Sequence, residues 1–154
     1  FDNNQLCENN EAEMFVTVWM GILDLSTGVM TAANAGHEYP AFRKADGEFE
    51  LIKDKHGFVL AGLEDVAYTD YEIRFEPGDT LYVYTDGVAE ATNAESKLFG
   101  TERMLQALNG SPDKACRKIL ENVSGGIHAF VQEAPQFDDI TMVALTYYGE
   151  TGEH

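Results

Sequence analysis

The sequence predicts one α+β domain, in which β-strands come first and helices later. Short segments rich in β-branched and aromatic residues, separated by turn signals, fill residues 15–85. Apolar residues at helical spacing follow over residues 101–132, and a last apolar strand is expected at 140–147. The 154 residues, of which 44% are hydrophobic, suffice for a single core. Because no repeat or linker is evident, this order favours one layered unit over residues 1–154.

Two hairpins open the predicted sheet structure. Residues 1–13 are polar, and we interpret them as a loop after the tail of an earlier element. The first hairpin joins a strand over Phe15–Leu25 to a return strand over Val29–Asn34 through a glycine-containing loop. A second hairpin joins residues 41–43 to residues 48–52.

The following strands lead to an acidic segment. Gly57–Leu63 is apolar and is expected to form a buried loop or a short strand. Tyr68–Phe75 alternates between apolar and polar residues, as a half-buried strand does. Glu76–Asp79 contains Pro and Gly at positions typical of a turn, and Thr80–Thr85 is then a strand.

Helices are predicted for most of the second half. Val88–Thr92 lacks strand character and is expected to be a short helix or turn. Thr101–Leu108 fits a helix that its first residue caps. Ser111-Pro112 is expected to open another helix, with Ser as N-cap and Pro at the first helical position. Gly125-Gly126 is expected to interrupt that helix, which resumes over residues 127–132.

The chain is strongly acidic, with a formal net charge of −17 from 27 acidic and 10 basic side chains. This balance argues against nucleic-acid binding, which requires Lys and Arg at the phosphates. No apolar run approaches the ~20 residues of a membrane span, and no signal segment opens the chain. Cys7 and Cys116 form no C-x-x-C pair, and we interpret both as structural or incidental thiols of a reducing compartment.

The segment Tyr82–Ala91 predicts a buried strand that ends on a carboxylate. Asp86 follows the strand, and Gly87, which has no side chain, comes next, before a helical stretch begins. A carboxylate at a strand end is a ligand that hard divalent cations prefer. Asp86 also has structural alternatives, because an Asp here suits a helix N-cap or a turn.

A second acidic strand end lies far down the chain, where Asp138 and Asp139 precede the last strand. Two such strand ends predict a divalent-metal site, and a metal held by carboxylates indicates phosphoryl transfer or hydrolysis. Neighbouring side chains on an extended segment point to opposite faces. One acid therefore faces a shared site, and spacing leaves open which one. Solvated loop acids are the alternative for both.

The turn at Gly36 and His37 is a third candidate. Gly36 indicates a tight backbone turn or the close approach of another segment. His37 has the chemistry of a ligand or a general acid, although a lone His in a turn is more often neither. The chain has no nucleotide-binding glycine loop and no nucleophile signature, which favours a metal-activated water over a side-chain nucleophile.

Three motifs in this order resemble the bacterial metal-dependent serine/threonine phosphatases of the PPM family, in the subgroup named for stage II sporulation protein E. They are Ala33–Pro40, Pro77–Ala91 and Asp138–Thr141. The strand-turn-strand over Val16–Gly28 and the step Leu98–Gly100 also fit. The resemblance covers nearly the whole chain.

The resemblance implies a pair of packed, mostly antiparallel sheets flanked by helices. It also implies a site with two Mn²⁺ or Mg²⁺ ions, whose bound water attacks a phosphoserine or phosphothreonine. Asp86 is carried over as one metal ligand and Asp138 as the better candidate for the second. No catalytic side chain beyond the metal ligands is implied. The positions carried over as supporting the site are Asp139, Gly87, Gly36 and His37.

The implied partner is a phosphorylated regulatory protein, which in this family is often an anti-sigma-factor antagonist. The implied location is the cytoplasm, or the cytoplasmic part of a longer signalling protein, with no membrane segment in this chain and no nucleic acid. The family's earlier Gly-Asp strand and Gly-His turn are not among these residues, which begin at Phe1. We therefore expect a partial domain, with its N-terminal part missing and weak or no activity alone. Pairing of its exposed sheet edges with a second copy, as a homodimer, stays open.

Two other functions are compatible with the same residues. One is a catalytically inactive, phosphatase-like module that binds a protein partner in signalling. The other is an unrelated acidic α+β domain, in which the Asp-Gly turns are structural.

Overall fold

The structure, a computed structural model, describes residues 3–7, 14–53, 57, 59–63, 65–110, 113–134 and 138–149. The elements in chain order are α1 (Asn3–Cys7), β1 (Val18–Asp24), β2 (Val29–Ala35), β3 (Ala41–Arg43), β4 (Glu50–Leu51), β5 (Asp70–Arg74), β6 (Thr80–Tyr84), α2 (Asp86–Ala89), α3 (Gly100–Asn109), α4 (Cys116–Val131) and β7 (Met142–Thr146). They belong to two compact units. Unit 1 comprises Phe1–Tyr39, Lys53–Phe75 and Gly149–His154, and unit 2 comprises Pro40–Ile52 and Glu76–Tyr148.

Unit 1 contains a three-stranded antiparallel sheet in the order β1-β2-β5. The hairpin predicted from the first strand-rich segment is confirmed, with Val18 opposite Ala35 and Asp24 opposite Val29. Its turn is held by the Asp24 carboxylate, which accepts a hydrogen bond from the Ser26 amide at 2.9 Å. Burial alternates along β2, where Met30, Ala32 and Asn34 are buried and Thr31 is exposed, as expected of a strand with one covered face.

Unit 2 contains a four-stranded antiparallel sheet in the order β4-β3-β6-β7. The central strand β6 is almost completely buried, and the rings of Tyr82 and Tyr84 stack with their centroids 5.5 Å apart. Helices α3 and α4 supply most of the remaining core. The buried helix residues of this core are Val88, Met104, Leu108, Ile119, Val123 and Ile127. The tyrosines of β6 thus pack against helix residues. The strand begins after the turn at Glu76–Asp79 and leads into the segment that carries Asp86.

Two of the helix predictions are wrong, and a third falls on residues that the structure does not describe. Helix α3 follows Phe99 at its N-cap position, with no side-chain cap, so the expected capping role of Thr101 is wrong. Helix α4 follows Ala115 at that position, whereas Ser111-Pro112 lies outside the described residues. The predicted break at Gly125-Gly126 is also wrong. Helix α4 runs unbroken, since Gly126 packs against Phe99, and this burial outweighs the low helix propensity of glycine.

The turn predicted at Glu76–Asp79 contains a buried carboxylate. Asp79 accepts hydrogen bonds from the Glu76 amide at 2.9 Å, the Ala45 amide at 2.9 Å and the Lys44 ammonium at 2.8 Å. Gly78 has a φ of 95°, which glycine adopts without strain. Asp79 therefore joins the β3–β4 turn to the start of β6.

The expected loop at the start of the chain is wrong in part, because Asn3–Cys7 is helical, while residues 8–13 lie outside the described residues. None of the helices in the described ranges combines the length and the apolarity that crossing a membrane requires.

Candidate functional site

Strand β6 delivers Asp86 to the start of α2. Thr85 is extended, with φ −88° and ψ 160°, and the helical turn begins immediately after it. The side chain of Asp86 is exposed, and its Oδ1 accepts a hydrogen bond from the Gly87 amide at 2.9 Å. The expected N-cap role is wrong, because Thr85 occupies that position and makes no side-chain cap bond. Asp86 instead occupies the first turn, where a negative charge is favourable.

Thr85 ties the end of β6 to the start of β7. Its amide donates to the Thr141 carbonyl at 3.0 Å, and its hydroxyl accepts from the Thr141 amide at 3.1 Å. The same hydroxyl donates to the Asp139 carbonyl at 3.2 Å. Three hydrogen bonds on one residue thus fix the acidic loop beside the segment that carries Asp86.

Gly87 lets the two acidic strand ends approach closely. A Cβ atom at this position would lie 2.4 Å from the Asp139 carbonyl oxygen and 3.6 Å from the Asp138 carbonyl carbon. Real Cβ atoms do not approach backbone atoms this closely, so only glycine fits without displacing the loop. The sequence indicated a residue without a side chain beside Asp86, and the structure supplies the reason.

Asp138 and Asp139 have different surroundings. Asp138 lines a cavity together with Gly87, whereas Asp139 is not among the lining residues. Asp138 Oδ1 accepts a hydrogen bond from the Asp139 amide at 2.7 Å. Both side chains are exposed. This arrangement agrees with neighbouring side chains that point to different sides, and the metal role of each acid stays a prediction.

The cavity beside Asp138 has a volume of about 260 Å³ and lies within unit 2. The end of α2, the second half of α4 and the acidic loop form its wall. Sequence reasoning missed the residues that α2 and α4 contribute. Among them, Ser124, Ile127, His128 and Val131 recur at the spacing of one helix face, which was the available signal.

The predicted turn at Gly36 and His37 lies in unit 1 and is firmly built. The Asn34 carboxamide accepts from the His37 amide at 2.8 Å and donates to the His37 carbonyl at 3.1 Å. Gly36 has a φ of 70°, and a Cβ there would lie 2.7 Å from Val59 Cγ1. Both expectations for Gly36, a tight turn and a close approach, are confirmed. The His37 ring hydrogen-bonds Thr17 Oγ1 through Nδ1 at 3.0 Å, and its role in a site stays a prediction.

The carboxylates of unit 2 fit a hard cation only if waters or substrate phosphate oxygens complete its coordination. Within the described residues, no group of three or more His, Cys, Asp or Glu side chains could hold a metal ion. Asp86 and Asp138 nevertheless offer carboxylate oxygens on segments that Gly87 brings together. Mg²⁺ keeps several waters and is commonly bound by one or two carboxylates plus substrate phosphates. The residues fit that mode, and they do not form a closed cage.

The sequence profile of one family, Stage II sporulation protein E (SpoIIE), matches residues 3–148. The chain belongs to the SpoIIE family. This SpoIIE-family domain is 30% identical over 138 residues to Protein IcfG of Synechocystis sp., a match that covers 90% of this chain and 22% of IcfG. It is 26% identical over 145 residues to the phosphoserine phosphatase RsbU of Bacillus subtilis, covering 92% of this chain and 42% of RsbU. The domain thus spans less than half the length of these two relatives.

A solved structure also resembles the SpoIIE-family domain. The phosphatase domain of the cell fate determinant SpoIIE from Bacillus subtilis, described as Mn presoaked, matches with a TM-score of 0.73 at 15% identity. The match covers 99% of this chain and 66% of that one. The predicted fold class, two mostly antiparallel sheets with helices, is confirmed, and the domain is a partial one relative to that structure.

Proposed function

We propose that this SpoIIE-family domain serves a metal-dependent protein phosphatase that hydrolyses phosphoserine or phosphothreonine on a regulatory protein. One observation carries the proposal: Gly87 brings the backbone of Asp138-Asp139 against the segment that bears Asp86. Two carboxylates on adjacent strand ends suit Mn²⁺ or Mg²⁺, which prefer oxygen ligands.

Asp86 and Asp138 are the residues that would hold the metal. A bound divalent ion supplies a nucleophilic water at neutral pH and neutralises charge on the phosphoryl oxygens. Thr85 and Gly87 position the two acids through backbone contacts and contribute no reacting group. Asp139 supports the same loop, since its amide donates to Asp138 and its carbonyl accepts from Thr85.

The relatives support this proposal by what their names say of them. RsbU is a phosphoserine phosphatase, and the SpoIIE structure is of a phosphatase domain presoaked with manganese. By the same similarity we propose a phosphorylated signalling protein as substrate, with an anti-sigma-factor antagonist as the leading class. We also propose a cytoplasmic setting, without nucleic acid, and pairing into homodimers through exposed sheet edges, which light scattering would test.

The test combines metal binding with hydrolysis. Calorimetric titration of the chain with Mn²⁺ should show binding that Asp86→Asn and Asp138→Asn each weaken about ten-fold or more. Asp46→Asn is the matched control, because it removes the same charge from an exposed turn of unit 2. Hydrolysis of p-nitrophenyl phosphate and of a phosphoserine peptide with Mn²⁺ should fall in the same two variants. Equal Mn²⁺ binding by all four proteins would refute the metal assignment.

A second candidate is a phosphatase-like module that binds a partner without catalysis. It is favoured by one observation: within the described residues, no group of three or more His, Cys, Asp or Glu side chains could hold a metal ion. We accordingly propose that full activity needs donors beyond these residues and that the chain alone is weakly active. A chain that binds a phosphoprotein but hydrolyses nothing, with Mn²⁺ and within its longer protein, would favour the binding module.

A further inference from the structure

We propose that the cavity beside Asp138 binds a basic side chain, Lys or Arg, of the phosphoprotein substrate, close in sequence to the phosphorylated residue. This inference rests on the proposed phosphatase function and names the substrate feature that the site selects. It concerns unit 2 alone, because every described residue that lines the cavity belongs to that unit.

The position and size of the cavity point to a side chain of a longer ligand. Asp138 and Gly87 belong both to the cavity wall and to the acidic strand ends. A ligand whose phosphate lies at those strand ends therefore places its neighbouring residues at the cavity. The volume of about 260 Å³ lies below the range typical of whole small-molecule ligands, about 300–1,000 Å³, and suits one long side chain.

The wall has an apolar and an acidic part. Ile127, Val131 and Ile140 supply branched aliphatic surface, on which the methylene stem of Lys or Arg can pack. Glu90 and Asp138 supply carboxylates, and none of the described lining residues is Lys or Arg. The cavity therefore attracts a cationic head and repels a phosphate or an acidic side chain.

Glu90 is the carboxylate that remains for this cation once Asp138 is assigned to the metal. It is exposed, and its carboxylate makes no hydrogen bond or ion pair with any residue that the structure describes. Its backbone is fixed at the end of α2, where the Glu90 amide donates to the Asp86 carbonyl at 2.8 Å. Thr92 Oγ1 also donates to the Glu90 carbonyl at 2.7 Å. Because its backbone is fixed by hydrogen bonds and its carboxylate has no partner among the described residues, Glu90 can pair with a cation of the substrate.

The backbone at the C-terminal end of α4, which lines the cavity, is strained. Gln132 ends α4 with φ 55° and ψ −116°, a conformation that non-glycine residues rarely adopt. Such strain tends to occur at functional sites, where it costs about 1–3 kcal/mol. In this molecule it turns the chain so that the wall continues from α4 to Ala134.

The experiment measures the ratio of kcat/KM between paired phosphoserine peptides. Each pair has Lys or norleucine at one position within four residues of the phosphoserine. For the wild-type protein the ratio should exceed about five-fold at one position at least. Glu90→Gln should reduce that ratio to near unity, and Glu90→Lys should invert it in favour of a peptide with Glu at the same position.

Glu102→Gln is the matched control, because it removes one exposed carboxylate of unit 2 that does not line the cavity. Binding of fluorescently labelled peptides, followed by anisotropy, should show the same charge preference as the kinetics. A wild-type ratio near unity at every position, or a ratio that Glu90→Lys leaves unchanged, would overturn the cavity assignment. The phosphatase proposal would survive that result, whereas the absence of hydrolysis of any peptide and of p-nitrophenyl phosphate, by the domain with Mn²⁺ and by any longer protein that contains it, would sink the phosphatase proposal itself.

Discussion

The hydroxyl of Thr85 donates a hydrogen bond of 3.2 Å to the carbonyl of Asp139, across 54 positions of sequence. With the two bonds between Thr85 and Thr141, it fixes the acidic loop beside Asp86. We expect Thr85→Val, which keeps the shape and removes the hydroxyl, to lower the free energy of unfolding by about 1–2 kcal/mol. Urea denaturation measures this loss. Thr31→Val, at an exposed strand position, should be nearly neutral, and equal effects of the two would contradict the role of Thr85.

Gly87 should not tolerate even one methyl group. Gly87→Ala places a Cβ 2.4 Å from the Asp139 carbonyl oxygen, so either the loop or α2 must move. We expect a loss of stability of about 1–3 kcal/mol together with weaker Mn²⁺ binding. Gly125→Ala is a sharp control, because its Cβ meets no atom within 4 Å in the interior of α4. That substitution should stabilise the protein by about 0.5–1 kcal/mol. A stable Gly87→Ala variant with unchanged Mn²⁺ affinity would refute the proposed fit.

Asp79 should make the free energy of unfolding depend on pH in the acidic range. Burial raises the pKa of this carboxyl, but hydrogen bonds from Glu76, Lys44 and Ala45 and the charge of Lys44 outweigh burial and hold the pKa below its usual value. The unfolded chain thus binds a proton at higher pH than the folded one. The stabilisation is complete above the unfolded value of about 3.9, and it is lost as pH falls from there through the folded pKa.

The measurement for Asp79 is the free energy of unfolding between pH 7 and pH 3. Asp79→Asn should lose about 1.5–3 kcal/mol at pH 7, since a buried, charge-assisted network is broken, and it should show a shallower decline in acid. Asp46→Asn, in the neighbouring exposed turn, should leave the pH profile parallel to that of the wild type. Parallel profiles for Asp79→Asn as well would be the contrary result.

Replacement of Gln132 by glycine should raise the free energy of unfolding. Its φ of 55° and ψ of −116° are accessible to glycine, so Gln132→Gly relieves backbone strain and should raise stability by about 1 kcal/mol. Gln106→Gly, in the regular and exposed part of α3, should instead cost about 0.8–1 kcal/mol. Thermal unfolding of both variants tests the contrast in sign. Loss of stability in both would show that Gln132 is not strained.

The strands were predictable because their signal is local. Alternation over Tyr68–Phe75 and the glycine turn before Val29 depend on neighbours in sequence, and both elements formed close to the expected bounds. The break expected at Gly125-Gly126 failed for the opposite reason. Local propensity favours a break there, but the packing of Gly126 against Phe99 comes from a distant part of the chain. Propensity is a weak argument wherever tertiary contacts decide the outcome.

The candidate site shows the same difference between local sequence signals and non-local contacts. The position of Asp86 and Asp138 at two strand ends predicted a shared cation site, and the family resemblance supplied their roles as ligands. The contact that unites them, between Gly87 and the Asp139 carbonyl, is non-local and leaves no periodic trace. Glu90 carried no signal either, because it closes a helix of only four residues, Asp86–Ala89.

Among the residues that the structure describes, β7 (Met142–Thr146) is the last strand, and it pairs with β6, which precedes helices α3 and α4. The segments that bear Asp86 and Asp138 are therefore brought together by a strand that follows both helices in the sequence. Contacts of such long sequence separation form late, because their loop-closure entropy must first be overcome. We therefore expect the contact between the two acidic segments to form late in folding. A chain that ends before Met142 would keep Asp138 but lack the strand that holds its loop beside the segment bearing Asp86.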